Sequence, residues 1–291
     1  WEGFGQDGGD QAAVRQGLAT ARVRAYADVP KLLAASKGLN PVEALRVGLG
    51  MLADSELMSH HYLVCGAMPV FLAALLRAAE AKPALAPDPS LTTAQDLLRM
   101  IRGRRADAAF ERALDTYLAT VADHGFNAST FTARVVASTH AGLISSVLAA
   151  LCALKGPLHG GAPGPVLDMF DEIGTVERAD AWFDDAFSKG TTLMGFGHRI
   201  YKVRDPRADV LKNTVATLPS TAGRLAFAVG IEKCAIAALR RHKPGRRLDT
   251  NVEFYTALLL EALEVPRSAF TALFAVGRAA GWCAHIFEQE K

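Results

Sequence analysis

Cysteine is scarce in this 291-residue chain: Cys65, Cys152, Cys234 and Cys283 lie far apart, form no CxxC pair and sit mostly among Ala, Leu and Ile. That spacing excludes a disulfide framework and a Cys-based zinc module, and the four read as reduced core residues of a cytoplasmic protein. Excess charge is lacking too, since 32 Lys plus Arg nearly cancel 30 Asp plus Glu and leave a formal charge of +2. No strong field advertises nucleic acid or an anionic membrane, so neither is expected as a partner, and any anionic ligand must be held locally. Neither HExxH nor a clustered Cys/His set occurs, so no metal is expected. There is no internal repeat and no low-complexity tract. Trp1-Glu2-Gly3 offers neither an initiator Met nor a charged-then-apolar leader, so the natural start is expected to lie outside this numbering.

Long hydrophobic runs are equally few. Only Val135–Leu154, twenty residues whose one strongly polar side chain is His140, invites a membrane test. Ser138, Thr139, Ser145 and Ser146 within it, and Arg134 before it, favour a buried helix instead.

What is present is apolar residues at helical spacing almost everywhere, as in Ala44, Val47, Gly48, Met51 and Leu52, while β-branched residues in alternation are rare. Half of the chain is hydrophobic, enough for a substantial core and two domains. The expected fold is all-α. Asn40-Pro41-Val42-Glu43 reads as an N-cap, a first-position proline and a Glu able to close a capping box, opening a helix to about Leu52. Three prolines make 82–90 a connection, with a helix following from about Thr93. One long helix is expected from Ala128 to Leu154, stopped by Gly156-Pro157. The glycine- and proline-rich run from Gly160 to Pro165 reads as a hinge leading into a helix near Val166, and a second boundary is expected near Pro266, before a final apolar helix from Ser268 to Gln289. The domains are therefore expected as 1–159 with 266–291, and 160–265.

Arg278 stands in an otherwise apolar helix, Phe270 to Ile286, and a guanidinium buried there needs either a protein carboxylate or a ligand carboxylate. Three histidines, His124, His159 and His198, border glycines at helix ends or in loops, where a ring can face a cleft or hold a structural bond. Gly195-Phe196-Gly197 lacks the third glycine of a dinucleotide fingerprint, and the basic run from Arg240 to Lys243 with Arg246 and Arg247 reads as a solvated loop.

Taken in order and spacing, Gly156-Pro157-Leu158-His159-Gly160-Gly161-Ala162, then Gly195 to Lys202 running on to Asp205-Pro206-Arg207, then Asn251-Val252-Glu253-Phe254 resemble the three active-site segments of citrate synthases. Similarity extends through His124 to Thr130 and Leu273 to Arg278, and covers roughly Asn40 to Gln289. The resemblance implies an all-helical two-domain subunit, a homodimer with shared active sites, and condensation of acetyl-CoA with oxaloacetate to give citrate and CoA. No permanent cofactor is implied; acetyl-CoA is a co-substrate. It casts Glu253 as the carboxylate base, His159 as hydrogen-bond donor to the thioester oxygen and His198 as the group polarising the ketone. Arg207, Arg278 and His124 are cast as substrate contacts, with the amides of Gly195, Phe196 and Gly197, and Lys202, beside the CoA portion. Glu253 in place of the usual Asp, and Pro163 in place of the usual Asn, look like a second type of bacterial citrate synthase. The family also has several tens of residues before the point matching Trp1 and a basic segment past Gln289 carrying an arginine that reaches the neighbouring subunit. Alternatives are a 2-methylcitrate synthase using propionyl-CoA, a non-catalytic binder of citrate or CoA, and a citrate-cleaving lyase.

Overall fold

Helix starts are written into the chain by side chains that accept from the first turn's orphan N–H groups. Asp10, Asn40, Asn127, Asp205 and Asn251 each accept such a bond, and Thr92 with Gln95 forms a complete capping box. The computed structural model describes residues 10–54, 59–156, 159, 163–197, 204–219, 221–246 and 248–291. Among the described residues it is helical with no strand, and its one β feature is an isolated antiparallel bridge between Phe196 and Thr250.

The chain divides into two units, Trp1–Gly160 with Thr271–Lys291, and Gly161–Phe270. The first holds α1 (Gln11–Tyr26), α2 (Val29–Ala35), α3 (Pro41–Gly50), α4 (His60–Ala79), α5 (Thr93–Arg102), α6 (Ala108–Val121), α7 (Ala128–Ala137) and α8 (Leu143–Leu154). The second holds α9 (Pro163–Ile173), α10 (Ala179–Ser188), α11 (Pro206–Ala216), α12 (Ala222–His242) and α13 (Val252–Ala262); α14 (Phe270–Glu290) returns to the first.

In the first unit α4 is buried almost all round, as its run of Leu, Val, Ala, Met and Phe demands. By length and composition α4 and the segment containing α14 could each cross a membrane, yet 78% and 72% of their apolar windows are buried within the protein itself. A buried ion pair ties α1 to α5: Arg22 Nε donates to Asp96 Oδ2 at 3.0 Å, while Nη1 and Nη2 reach Thr93 Oγ1 and the Leu91 carbonyl. The second unit packs around Phe254 of α13, whose ring meets Phe170 and Phe196 edge-on at 5.2 Å from each centroid.

Several expectations are corrected. The single helix from Ala128 to Leu154 is two. Ser138 and Thr139 hydroxyls donate back to the Val135 and Val136 carbonyls, His140 adopts a left-handed φ of 54°, and Gly142 follows at 93°, so the helix ends and restarts. The capping box of α3 is not closed, because Glu43 takes the Asn40 amide at 3.2 Å and Lys155 Nζ at 3.2 Å rather than the Asn40 backbone, and α3 stops at Gly50. All four thiols are free, but only Cys283 is buried; Cys152 faces outward on α8 and is no core residue. The basic run lies mostly in the last turn of α12, where Arg241 and His242 meet Asp184 of α10 at 3.2 and 2.7 Å.

Candidate functional site

In the first unit, close approach of the middle of α14 to the end of α6 places the candidate groups. A Cβ on Gly281 would run into the Ala122 carbonyl oxygen, so only glycine lets α14 lie this near the end of α6. One turn earlier on α14 sits Arg278, fully buried, its Nε donating to the Val121 carbonyl at 2.6 Å and its guanidinium 4.9 Å from the Phe274 ring centre. Three residues beyond Val121 comes His124, in a turn shaped by Asp123, which accepts from the Gly125 amide at 2.9 Å and lies 3.1 Å from His285 Nε2.

His159 follows α8 and is fixed from α7. Its Nε2 accepts the backbone N–H of Ser129 at 3.3 Å and lies 2.9 Å from Ser129 Oγ. That hydroxyl in turn accepts from Trp282 Nε1 at 3.2 Å and faces Asn127 Oδ1 at 2.7 Å. With the Ser129 backbone N–H as its donor, Nε2 of a neutral His159 is the unprotonated nitrogen and Nδ1 carries the proton; the Ser129 hydroxyl, which donates to Asn127 Oδ1, adds no donor to it.

In the second unit three sequence segments are sewn together by main-chain bonds. Gly197 N donates to the Asp249 carbonyl at 2.7 Å and Asn251 N to the Gly195 carbonyl at 3.0 Å, forming the lone bridge. Gly195 and Gly197 both have positive φ, 87° and 81°, and a Cβ on either would press on Phe254 and Val166 or on Leu248, which accounts for glycine at both. Asn251 caps α13 by accepting from the Glu253 amide at 3.0 Å and donates to the Gly197 carbonyl at 2.9 Å, so Glu253 stands in the first turn of α13 beside that bridge. Asp205 N joins the same seam at the Thr250 carbonyl, 3.1 Å.

Arg207 is met by a protein carboxylate: Nε and Nη2 donate to Asp205 Oδ1 and Oδ2 at 3.0 and 2.8 Å. Asp205 also accepts from the Arg207 and Val252 amides. Burial alone would raise the Asp205 carboxyl, but these four bonds outweigh it and hold it below the usual aspartate value. Two expected site residues, His198 and Lys202, lie outside the described residues. Among the described residues no three His, Cys, Asp or Glu side chains gather as a metal site.

A family model described as "Citrate synthase, C-terminal domain" matches residues 9–291. The chain belongs to the citrate synthase family. Among relatives, the putative citrate synthase 2 of Mycobacterium tuberculosis is 46% identical over 179 residues, covering 62% of this chain and 48% of that protein. The citrate synthase of Deinococcus radiodurans is 34% identical over 263 residues, 87% of this chain and 69% of that protein. Among solved structures, citrate synthase from Thermotoga maritima superposes with a TM-score of 0.83 at 33% identity, covering 94% of this chain and 74% of that one. The enzyme from Thermoplasma acidophilum, in ternary complex with carboxymethyl coenzyme A and oxaloacetate, gives 0.83 at 29% identity over 93% and 75%. The chain spans about half the length of the mycobacterial relatives it matches.

Within this citrate synthase framework, reading the residues alone missed Asp205 as the partner of Arg207, and Ser129 and Trp282 as the holders of His159. Asp205 carried a signal, since an N-cap aspartate two residues before an arginine can reach both its backbone and its guanidinium. Ser129 and Trp282 are 153 residues apart and meet only through tertiary packing.

Proposed function

We propose that the protein to which this chain belongs condenses acetyl-CoA with oxaloacetate, and that water then cleaves the citryl-CoA product to citrate and CoA. The observation that carries this reading is the Ser129 backbone N–H at His159 Nε2: a neutral imidazole that accepts there holds its proton on Nδ1, where it suits donation to a thioester oxygen. Proton abstraction from the weakly acidic methyl needs that oxygen stabilised at the same moment. Glu253 takes a methyl proton, and the electron pair left behind forms the enolate double bond while charge on the oxygen is met by His159. The methyl carbon then attacks the oxaloacetate ketone, whose oxygen His198 protonates. Arg207, Arg278 and His124 bind the carboxylates; Asp205 and the Val121 carbonyl orient the two arginines. The amides of Gly195 to Gly197, with Lys202, serve the CoA portion.

A second copy of the chain is part of the proposal. Phe126, Phe131 and Val135 are 57%, 58% and 50% exposed on and beside α7, an apolar face that a homodimer would cover. Four unbridged thiols favour a reducing, cytoplasmic setting.

The test is thiol release by the full-length protein with oxaloacetate and acetyl-CoA or propionyl-CoA. Glu253→Gln is expected to lower kcat by about 10²–10⁴-fold while citrate still binds by calorimetry. Faster turnover of propionyl-CoA would reassign the substrate, and citrate binding without any thiol release by the unmutated protein would overturn the enzymatic reading.

A further inference from the structure

A buried carboxylate outside the proposed chemistry sits at the centre of the second unit. Glu232, midway along α12, is 4% exposed, and both of its oxygens are doubly bonded. Oε1 accepts from Arg204 Nη1 at 2.6 Å and Thr250 Oγ1 at 2.7 Å; Oε2 accepts from Tyr255 Oη at 2.6 Å and Lys212 Nζ at 3.4 Å. These donors come from the segment before α11, from α11 itself, from the bridge segment and from α13, so one side chain holds four pieces of chain. Arg204 also reaches Asp209 at 2.7 Å and lies 3.8 Å from Asp249, so one guanidinium is shared among three carboxylates.

Burying a carboxylate is costly, and replacing a buried ionic cluster by hydrophobic packing of similar volume is often neutral or stabilising. The arrangement therefore calls for a reason beyond stability, and its connections supply one. Thr250 and Arg204 belong to the two segments whose main chains meet at Asp205 N and the Thr250 carbonyl. Asp205 forks onto Arg207 and takes the Val252 amide, and Asn251 caps the turn bearing Glu253. We propose that Glu232 is a positioning residue for the condensation, holding the Thr250 and Arg204 segments in the one register that orients both Glu253 and Arg207. The inference rests on the assignment of Glu253 as base and Arg207 as substrate contact above. Burial pushes the Glu232 carboxyl up, but the bonds from Tyr255, Thr250 and Arg204 outweigh it and keep it ionised, below its ordinary value. Burial, helped by the bond to the Glu232 carboxylate, pushes the Tyr255 phenol up. A displacement of about 1 Å at a reacting centre costs on the order of 10²-fold in rate, so a register device of this kind reads out in turnover.

The test compares five variants of the full-length protein by thiol release and thermal melting. Glu232→Gln is expected to lower kcat roughly 10²-fold, and Thr250→Val roughly 10-fold, with a smaller rise in the KM for oxaloacetate. Thr250→Ser, which keeps the hydroxyl, restores kcat to within about two-fold. Phe183→Leu removes buried packing in α10, an element of the same unit that supplies no group to the Glu232 cluster, and is expected to lower the melting temperature while kcat stays within about two-fold. If Glu232→Gln and Thr250→Val lose melting temperature as Phe183→Leu does but keep kcat, the positioning role is overturned. Glu253→Gln, measured alongside, separates the two layers: full turnover there removes the base assignment and the inference with it, whereas its inactivity leaves the Glu232 and Thr250 variants to judge positioning alone.

Discussion

The two units present their candidate groups through different contacts. In the first, Arg278 rests on a backbone carbonyl and a phenylalanine ring, and His159 on a backbone amide and a serine. In the second, Arg207 is clasped by Asp205, and the segments around it are held by the ionised Glu232 cluster. Contacts of the first kind depend on shape and on close helix approach. Ionic contacts of the second kind depend on carboxylates staying charged where water is excluded, and their loss strands a buried partner.

The largest expected effect breaks the ionic side. Asp205→Asn leaves Arg207 without its buried counter-charge and is expected to cost about 3–5 kcal/mol in a denaturant melt, with a raised KM for oxaloacetate. Unchanged stability would show that the fork contributes orientation alone. Next comes the shape-dependent side: Gly281→Ala drives a methyl into the Ala122 carbonyl and is expected to cost about 1–3 kcal/mol through forced separation of α14 from α6. A loss of substrate affinity beyond that of a core substitution elsewhere would tie the spacing to Arg278. The smallest effect is that of acid. Asp205 and Glu232 are both held below their ordinary values of 3.8 and 4.5, so the stability they contribute is complete above those values and drains as pH falls beneath them towards the folded values. Glu232→Gln is expected to flatten the fall of denaturant stability below pH 4.5; an identical slope would mean that the Glu232 cluster contributes little to the acid limb.

Much of this organisation can be read from residues alone. Periodicity and caps such as Asn40 and Asn127 mark helices because they act within a few residues of chain. The three segments carrying His159, Gly195 to Gly197 and Glu253 stand out through their resemblance to citrate synthases; the residues by themselves leave His159 open between a structural and a site role and do not single out Glu253. What stays hidden depends on distant chain. Glu232 looks like any helical glutamate until α11, α12 and α13 assemble around it, and Ser129 looks like a first-turn serine until Trp282 arrives from α14. The break after Ala137 was concealed by composition: Val, Ala and Leu on both sides read as one helix, while a left-handed His140 has no strong sequence signature. Cys152 went wrong for a related reason, since apolar neighbours along the chain do not say which side of α8 a thiol faces.

The antiparallel bridge between Phe196 and Thr250 has a practical consequence. Its two amides, Gly197 and Asn251, close onto carbonyls of opposite segments in a molecule whose backbone bonds otherwise run mainly within helices. Isotope exchange at those two positions therefore serves as a built-in gauge of how tightly the loops beside the proposed base are fastened, readable with no substrate present.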